Sequence, residues 1–336
     1  MKRKALVKVV LVGLVLALAG QVGAQQQRGR GPGMHGDWLL KIEFDGRTME
    51  SILTFSRDAE GNRTAQLISL WGVSDLTDLK FEEGKLTFTQ TRQGRDGQTF
   101  TSKFSGSIAE GKLTGTMSSD RGEYTMTGQR APRMPRVVGT YEMKAQGEER
   151  EFTSTLTVAV DKEGKLGATW KTEWGEPKIS DVQYTRGQLT FKMESSNPER
   201  QWEANFQAQL SADGLSGAIK SERGEMEVAG TRKNARVIGT WDLEMASERG
   251  TRKQRLRINP DMSALYGATT VKKVDFADEK MSFKIVLTFG ERQFEMDFQG
   301  KLEEGKLVGE MTTPMGSQKI TGTKVVRRRR TRSTQP

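Results

Sequence analysis

The sequence predicts an all-β protein made of three tandem antiparallel up-and-down barrels of eight strands each. Three observations predict it: a motif set recurring at spacings of 103 and 100 residues, an apolar alternation of period two inside each copy, and short turn signals at regular intervals.

The N-terminus stands apart from this pattern. Lys2, Arg3, Lys4 and Lys8 precede an apolar run from Val9 to Ala19 and the small residues Val22-Gly23-Ala24, the layout of a cleaved secretory signal over residues 1–24. The apolar run is short for a membrane span, so a mature chain from about Gln25, without a transmembrane segment, is expected in the periplasm or outside the cell. Residues 25–35 read as a flexible linker rich in Gly and Arg, and 327–336 as a basic tail. The chain has 0 Cys, which excludes lipidation at a lipobox cysteine, disulfides and thiolate metal sites.

The formal charge of +10 belongs to the ends. The leader carries +4, Arg28 and Arg30 add +2, and Arg327, Arg328, Arg329, Arg330 and Arg332 add +5, which leaves −1 for residues 37–326. A nearly neutral body gives no reason to expect nucleic acid. The tail is either a solvated terminus or a contact for an anionic envelope surface.

Three copies then follow, at 36–130, 136–232 and 236–326. They open on Gly36-Asp37-Trp38, Gly139-Thr140-Tyr141 and Gly239-Thr240-Trp241. Trp71-Gly72, Trp174-Gly175 and Tyr266-Gly267 each stand ten residues before an aromatic, namely Phe81, Tyr184 and Phe276, which places the first three aromatics at one equivalent position. The third copy is eight residues shorter between Leu256 and Tyr266 than the first between Leu53 and Trp71, so one hairpin is shorter there. Each copy closes on Arg130, Arg232 or Lys324.

Within a copy, Phe100, Phe104 and Gly106 alternate with polar residues, as do Trp202, Ala204, Phe206 and Phe294, Met296, Phe298, so these are expected to face inward. Asp45-Gly46, Glu60-Gly61, Glu83-Gly84, Asp96-Gly97, Glu110-Gly111 and Arg121-Gly122 cut the first copy into strands. Outward positions such as Thr87, Thr89, Lys103 and Glu203 are polar, which argues against an outer-membrane barrel. Eight strands with one apolar face bury it, and lose both edges, by closing on themselves. Closure places the first and last strands side by side. Trp38 and Arg130, Tyr141 and Arg232, and Trp241 and Lys324 should then meet at one end, cation over ring.

These residues carry a resemblance. A Gly-x-Trp opening on the first strand with a basic residue late in the barrel resembles the lipocalin and calycin pattern, mapped here onto Gly36, Trp38 and Arg130, Gly139, Tyr141 and Arg232, and Gly239, Trp241 and Lys324. The second copy departs with Tyr for Trp, the third with Lys for Arg, and the lipocalin Thr-Asp-Tyr turn is missing. The resemblance implies eight-strand barrels that hold a small hydrophobic ligand, with the aromatic and basic residues serving closure.

Catalytic parts are scarce. The single His35 lies in the linker, so Ser-His and His-ligated zinc arrangements lack their components, and no cofactor or metal is expected. Carboxylates such as Glu82-Glu83, Asp120, Glu222 and Glu303-Glu304 fall at turns, leaving carboxylate-only catalysis as a remote alternative. Asp78 and Asp181 recur at one position where the third copy has Lys273, which suits a turn or strand-edge role better than a catalytic one. Trp71, Trp174 and Tyr266 are the candidate barrel-mouth ligand contacts, weighed against plain core packing. The sequence thus supports an exported, monomeric, non-enzymatic binding protein. The alternative is an envelope scaffold with filled barrels.

Overall fold

The computed structural model describes residues 36–325 apart from 45–46, 94–97, 147–150, 198, 200, 213, 248–249 and 290–291. The leader, the linker with His35, and the tail 327–336 lie outside the described residues. Every element among the described residues is a strand.

The first sheet contains β1 (Gly36–Phe44), β2 (Arg47–Arg57), β3 (Arg63–Ser69), β4 (Gly72–Glu82), β5 (Lys85–Gln93), β6 (Thr99–Ala109), β7 (Lys112–Ser119) and β8 (Gly122–Arg130). The second contains β9 (Gly139–Gln146), β10 (Glu151–Val160), β11 (Leu166–Lys171), β12 (Lys178–Thr185), β13 (Gln188–Glu194), β14 (Glu203–Leu210), β15 (Gly214–Ser221) and β16 (Gly224–Arg232). The third contains β17 (Gly239–Ser247), β18 (Gly250–Ile258), β19 (Ala264–Tyr266), β20 (Thr269–Val271), β21 (Val274–Ala277), β22 (Lys280–Phe289), β23 (Arg292–Glu303), β24 (Lys306–Thr313) and β25 (Gly316–Lys324). All paired neighbours are antiparallel, and in each copy the last strand returns to the first.

Two kinds of turn sort to the two ends of each barrel. At the basal end, where the first strand starts and the last one finishes, Glu83-Gly84, Glu110-Gly111, Arg186-Gly187 and Glu304-Gly305 have both central residues at positive φ. That is the two-residue turn whose twist matches the flanking strands. At the distal end the hairpins run Ser69 to Gly72, Ser119 to Gly122, Thr172 to Gly175, Ser221 to Gly224 and Thr313 to Gly316. In each, the hydroxyl accepts the amide two residues on at 3.2 Å.

Full closure, expected of every copy, holds for the first. The second sheet is interrupted between β11 and β12, and proline supplies the reason. Thr172 and Gly175 exchange two backbone hydrogen bonds of 3.1 and 3.3 Å. Bonded pairs recur every second residue in an antiparallel ladder, so the next would set Trp170 opposite Pro177, which has no N–H to give. The first barrel has Ser74 there, opposite Leu67, and pairs normally. Asp78 and Asp181, at φ 51° and 55°, sit where the fourth strand slips register against the fifth. In the third copy the fourth strand breaks outright between β20 and β21 at Lys272 and Lys273, so that sheet counts nine strands rather than eight.

The barrels also dock on one another, which the polar outer alternation did not foretell. Leu39, Ile52, Ile68 and Val73 form one cross-strand row on the outside of the first barrel. Ala268 and Leu265 of the third barrel pack on that row. The third barrel's β19–β20 hairpin turns at Gly267, with Tyr266 already opposite Thr269, whereas the equivalent hairpin of the first barrel runs on to Trp71. The notch left by the shorter hairpin is filled by the first barrel. Leu70 packs on the third barrel's core, and Gln254, with 0% exposure, donates its amide to the carbonyls of Ser69 and Leu70 at 3.0 Å each. Gly267 has φ 61°, and a Cβ there would collide with the Ser69 carbonyl oxygen. At the basal ends, Arg257 bonds Asp37 at 2.8 Å, so the first and third barrels lie side by side pointing the same way.

Candidate functional site

The basal end brings together all three pairs named from the sequence. Trp38 lies directly opposite Arg130, Tyr141 opposite Arg232, and Trp241 opposite Lys324. The cations stand 4.8, 5.1 and 5.7 Å from the ring centres, and the rings are fully buried. That range is a cation–π contact. The basic residue also ties down the chain entering the barrel. Arg232 donates to the Tyr141 hydroxyl at 2.6 Å and to the Arg136 carbonyl at 2.5 Å. Lys324 donates to the carbonyls of Ala235 and Arg236 at 3.2 and 2.7 Å.

The aromatic reaches back four residues in the same way, Tyr141 Oη to the Val137 carbonyl and Trp241 Nε1 to the Val237 carbonyl, both at 2.8 Å. Trp38 Nε1 is buried with no partner among the described residues, and the residue four before it, Met34, lies outside them. Burial raises Tyr141 above the ordinary tyrosine value, partly offset by the Arg232 charge and hydrogen bond, and burial lowers Lys324.

Above this seal a stacked phenylalanine pair stands inside each barrel. Phe88 stacks on Phe104 at 4.7 Å, Phe191 on Phe206 at 4.4 Å and Phe283 on Phe298 at 4.8 Å, one pair per barrel at the same register. The Phe104 ring lies over Gly106 and Gly115, and the Phe298 ring over Gly300 and Gly309, where any Cβ would strike it. Nearer its distal end the first barrel turns polar inside. Gln90, 4% exposed, is oriented so that its carbonyl accepts from Ser74 Oγ at 3.1 Å and from Arg92 at 2.7 Å.

Three large residues expected inside are nearer the solvent. Trp202 and Phe294 are 40% and 38% exposed, and Phe100 is half-buried under Arg121 at 4.2 Å. Alternation along a strand gives the side a residue faces, not how far along the barrel axis it sits, and all three lie at the distal opening.

The triplet Trp71, Trp174 and Tyr266 separates into two places. Trp71 and Trp174 are hairpin-tip residues, 59% and 69% exposed, the latter edge-on to Phe152 at 4.9 Å. Tyr266 is 1% exposed and lies opposite Leu256. Its counterparts are therefore Leu67, opposite Leu53, and Trp170, opposite Leu156. The sequence match on aromatic-Gly was off by one pair of residues per strand, because the third copy's hairpin is shortened at that place. Trp170 went unnoticed. It is buried, edge-on to Phe206 at 5.2 Å, with its indole N–H on Ser154 Oγ at 2.8 Å. Counting from the partner leucine instead of the following glycine would have found it.

Two open grooves lie over outer faces. One of about 620 Å³ crosses the second barrel over the small side chains of Ser216, Ala218 and Ala229, flanked by the ion pairs Lys144–Glu151 and Lys220–Glu225 at 2.9 and 3.2 Å. The other, about 680 Å³, crosses the third barrel beside Lys272, Lys273, Asp275, Lys284, Val286 and Asp297. Among the described residues, no three His, Cys, Asp or Glu side chains gather as a metal site, and no helix is long and apolar enough to cross a membrane.

No protein-family model and no curated protein matches the chain. Among solved structures, it is similar to a candidate outer membrane protein of Bacteroides fragilis, at 11% identity over 87% of this chain and 98% of the other, with a TM-score of 0.23. A DUF3598-family protein of unknown function from Nostoc punctiforme matches at 11% identity over 87% and 96%, with a TM-score of 0.18. Transferrin binding protein B of Neisseria meningitidis matches at 12% over 84% and 67%, with a TM-score of 0.19. At TM-scores this low, the likeness carries no argument about what this chain does.

Proposed function

We propose that this chain is an exported, non-enzymatic binding protein that holds its ligand on the outer faces of its barrels rather than inside them. The observation that carries the reading is the stacked phenylalanine pair that stands inside each barrel above an aromatic–basic seal. A small eight-strand barrel either packs side chains or encloses one ligand, and these side chains occupy the space a ligand would need. The groove over Ser216, Ala218 and Ala229, with charged pairs at its sides, suits a polar or proteinaceous ligand better than the small hydrophobic one implied by the lipocalin resemblance.

The test replaces Ala218 by Trp, which fills the groove on the outer face. Capture of ligand from the exporting organism's envelope fraction should fall at least tenfold, with the melting temperature held within about 2 °C. A ligand recovered from the denatured wild-type protein, and still bound by the Ala218→Trp variant, would return the site to a barrel interior.

A further inference from the structure

Above its stacked phenylalanines the first barrel is polar where its two sisters are apolar. Two residues beyond Phe88 and Phe104 it sets Gln90 opposite Ser102, whereas the second barrel sets Met193 opposite Ala204 and the third Ile285 opposite Met296. Gln90, Met193 and Ile285 are all buried, at 4%, 4% and 0% exposure. The inward face of the first barrel continues through Ser51 and Ser74, which lie opposite Ser69 and Leu67. A fold that packs Met or Ile at this place has no need of a buried amide, and burying one costs stability unless it is well bonded.

These polar groups converge on one cation. The Gln90 carbonyl accepts from Ser74 Oγ at 3.1 Å and from Arg92 Nε and Nη2 at 2.7 and 2.8 Å. That neutral oxygen takes two of the five guanidinium N–H groups and leaves the end-on edge, Nη1 with Nη2, for another acceptor. Arg92 is an exposed residue, yet its guanidinium sits against a buried group, and desolvation lowers it from the ordinary arginine value. Directly opposite Arg92, half-buried Phe100 carries Arg121 over its ring at 4.2 Å. Neither arginine has an ion-pair partner among the described residues. The described carboxylates at this end of the barrel stand elsewhere. Glu43, Glu50, Asp75 and Glu123 hold outward strand positions, where Asp75 accepts from Gln66 at 2.7 Å and Glu123 from Ser118 at 3.0 Å, and Asp120 is exposed at the β7–β8 tip. Residues 45–46 and 94–97 lie outside the described residues, and the site is built without them. The wall parts beside Arg92, because the β4–β5 ladder stops at Leu76 opposite Gln90 although β4 begins at Gly72 and β5 runs on to Gln93.

We infer that this distal opening binds a small carboxylate with a polar, hydroxyl-bearing body, its carboxylate paired end-on with the Arg92 guanidinium and its hydroxyls on the serine and glutamine groups beneath. A single inward guanidinium balances a single negative charge, and its planar fork matches a planar carboxylate better than a more highly charged phosphate. Ser51, Ser74 and Ser102 offer hydroxyls rather than apolar surface, so an aliphatic chain finds no match there. The stacked Phe88 and Phe104 form the floor, which limits the ligand to a small molecule. Lying at the rim above that pair, the site is separate from the groove on the second barrel and does not rest on what that groove holds.

The experiment is isothermal titration of the full mature chain with gluconate, hexanoate and inorganic phosphate. Gluconate should bind saturably, one per chain, more tightly than hexanoate or phosphate and more weakly as salt rises. Arg92→Gln should weaken gluconate at least tenfold and Arg92→Lys by less, while Lys103→Gln, on the outer face of the same barrel, should leave it unchanged. Gln90→Met supplies the residue that the second barrel carries at this place. It should lose gluconate and melt no lower than wild type, which a glutamine serving the fold alone would not allow. The absence of saturable gluconate binding, tighter binding of hexanoate or phosphate, undiminished binding by Arg92→Gln, or a Gln90→Met protein that keeps gluconate or is markedly destabilised would each overturn the inference. Ala218→Trp should bind gluconate as wild type does, so that this site and the groove on the second barrel stand or fall separately.

Discussion

Replacing Gln254 by Leu tests whether the first and third barrels are one cooperative body. The substitution keeps most of the side-chain volume and removes the amide that donates to the Ser69 and Leu70 carbonyls at 3.0 Å, and it also strips the Arg255 amide of its 2.9 Å acceptor. Each hydrogen bond is worth about 1 kcal/mol net, and a carbonyl left buried without a donor costs about 1–3 kcal/mol more, so the docked hairpin should lose roughly 2–4 kcal/mol. A loss of that size is a rise of about thirtyfold to a thousandfold in the population of the undocked hairpin. Hydrogen exchange reads it directly. The amides of Trp71 and Gly72 should exchange faster by that factor, while those of β13 and β14 in the second barrel stay as they were. Unchanged exchange at residues 69–72 would show that the apolar row of Leu39, Ile52, Ile68 and Val73 holds the barrels together without the glutamine.

Other perturbations follow from the same contacts. Phe104→Ala removes a ring stacked on Phe88 and opens a void above Gly106 and Gly115, so chemical denaturation should report a loss of about 3–5 kcal/mol. Trp174→Ala, at an exposed tip with one edge contact to Phe152, should cost less than about 1 kcal/mol in the same assay. Burial raises the hydroxyls of Tyr141 and Tyr266, so the folded chain holds these protons more tightly than the unfolded chain does. Their contribution is whole below the unfolded value of about 10 and is lost as pH rises through the raised folded values. Ultraviolet titration should therefore show two tyrosines ionising late and together with alkaline unfolding, and normal titration of all four would refute the burial. In Arg232→Met, which removes the charge and hydrogen bond that hold Tyr141 down, the late tyrosine should ionise later still, provided the fold is retained.

Much of the architecture was legible because strand alternation and turn chemistry are local. Glu83-Gly84 and Glu110-Gly111 announce tight basal turns, and Trp38 with Arg130 is forced into register once eight strands close. Three things were not local. The deletion in the third copy falls partly in the hairpin tip, so matching Tyr266 to Trp71 looked sound until the partner strand was known. The row Leu39, Ile52, Ile68 and Val73 takes one residue from each of four strands and looks like nothing in any one of them. Pro177 reads as a turn residue beside Trp174-Gly175, and only the pairing phase shows that it sits where a ladder donor is required.

The docking of Leu70 and Ser69 into the third barrel also bears on how such a chain can change over time. The three barrels are not interchangeable: the notch left by the short hairpin of the third is filled by the first, and Gly267 lies where a side chain would strike the Ser69 carbonyl. Reordering the copies, or expressing the third by itself, would leave an apolar notch and a buried glutamine facing water. The array therefore cannot be lengthened or trimmed one unit at a time, as a string of independent beads could be. Its first and last members are committed to each other.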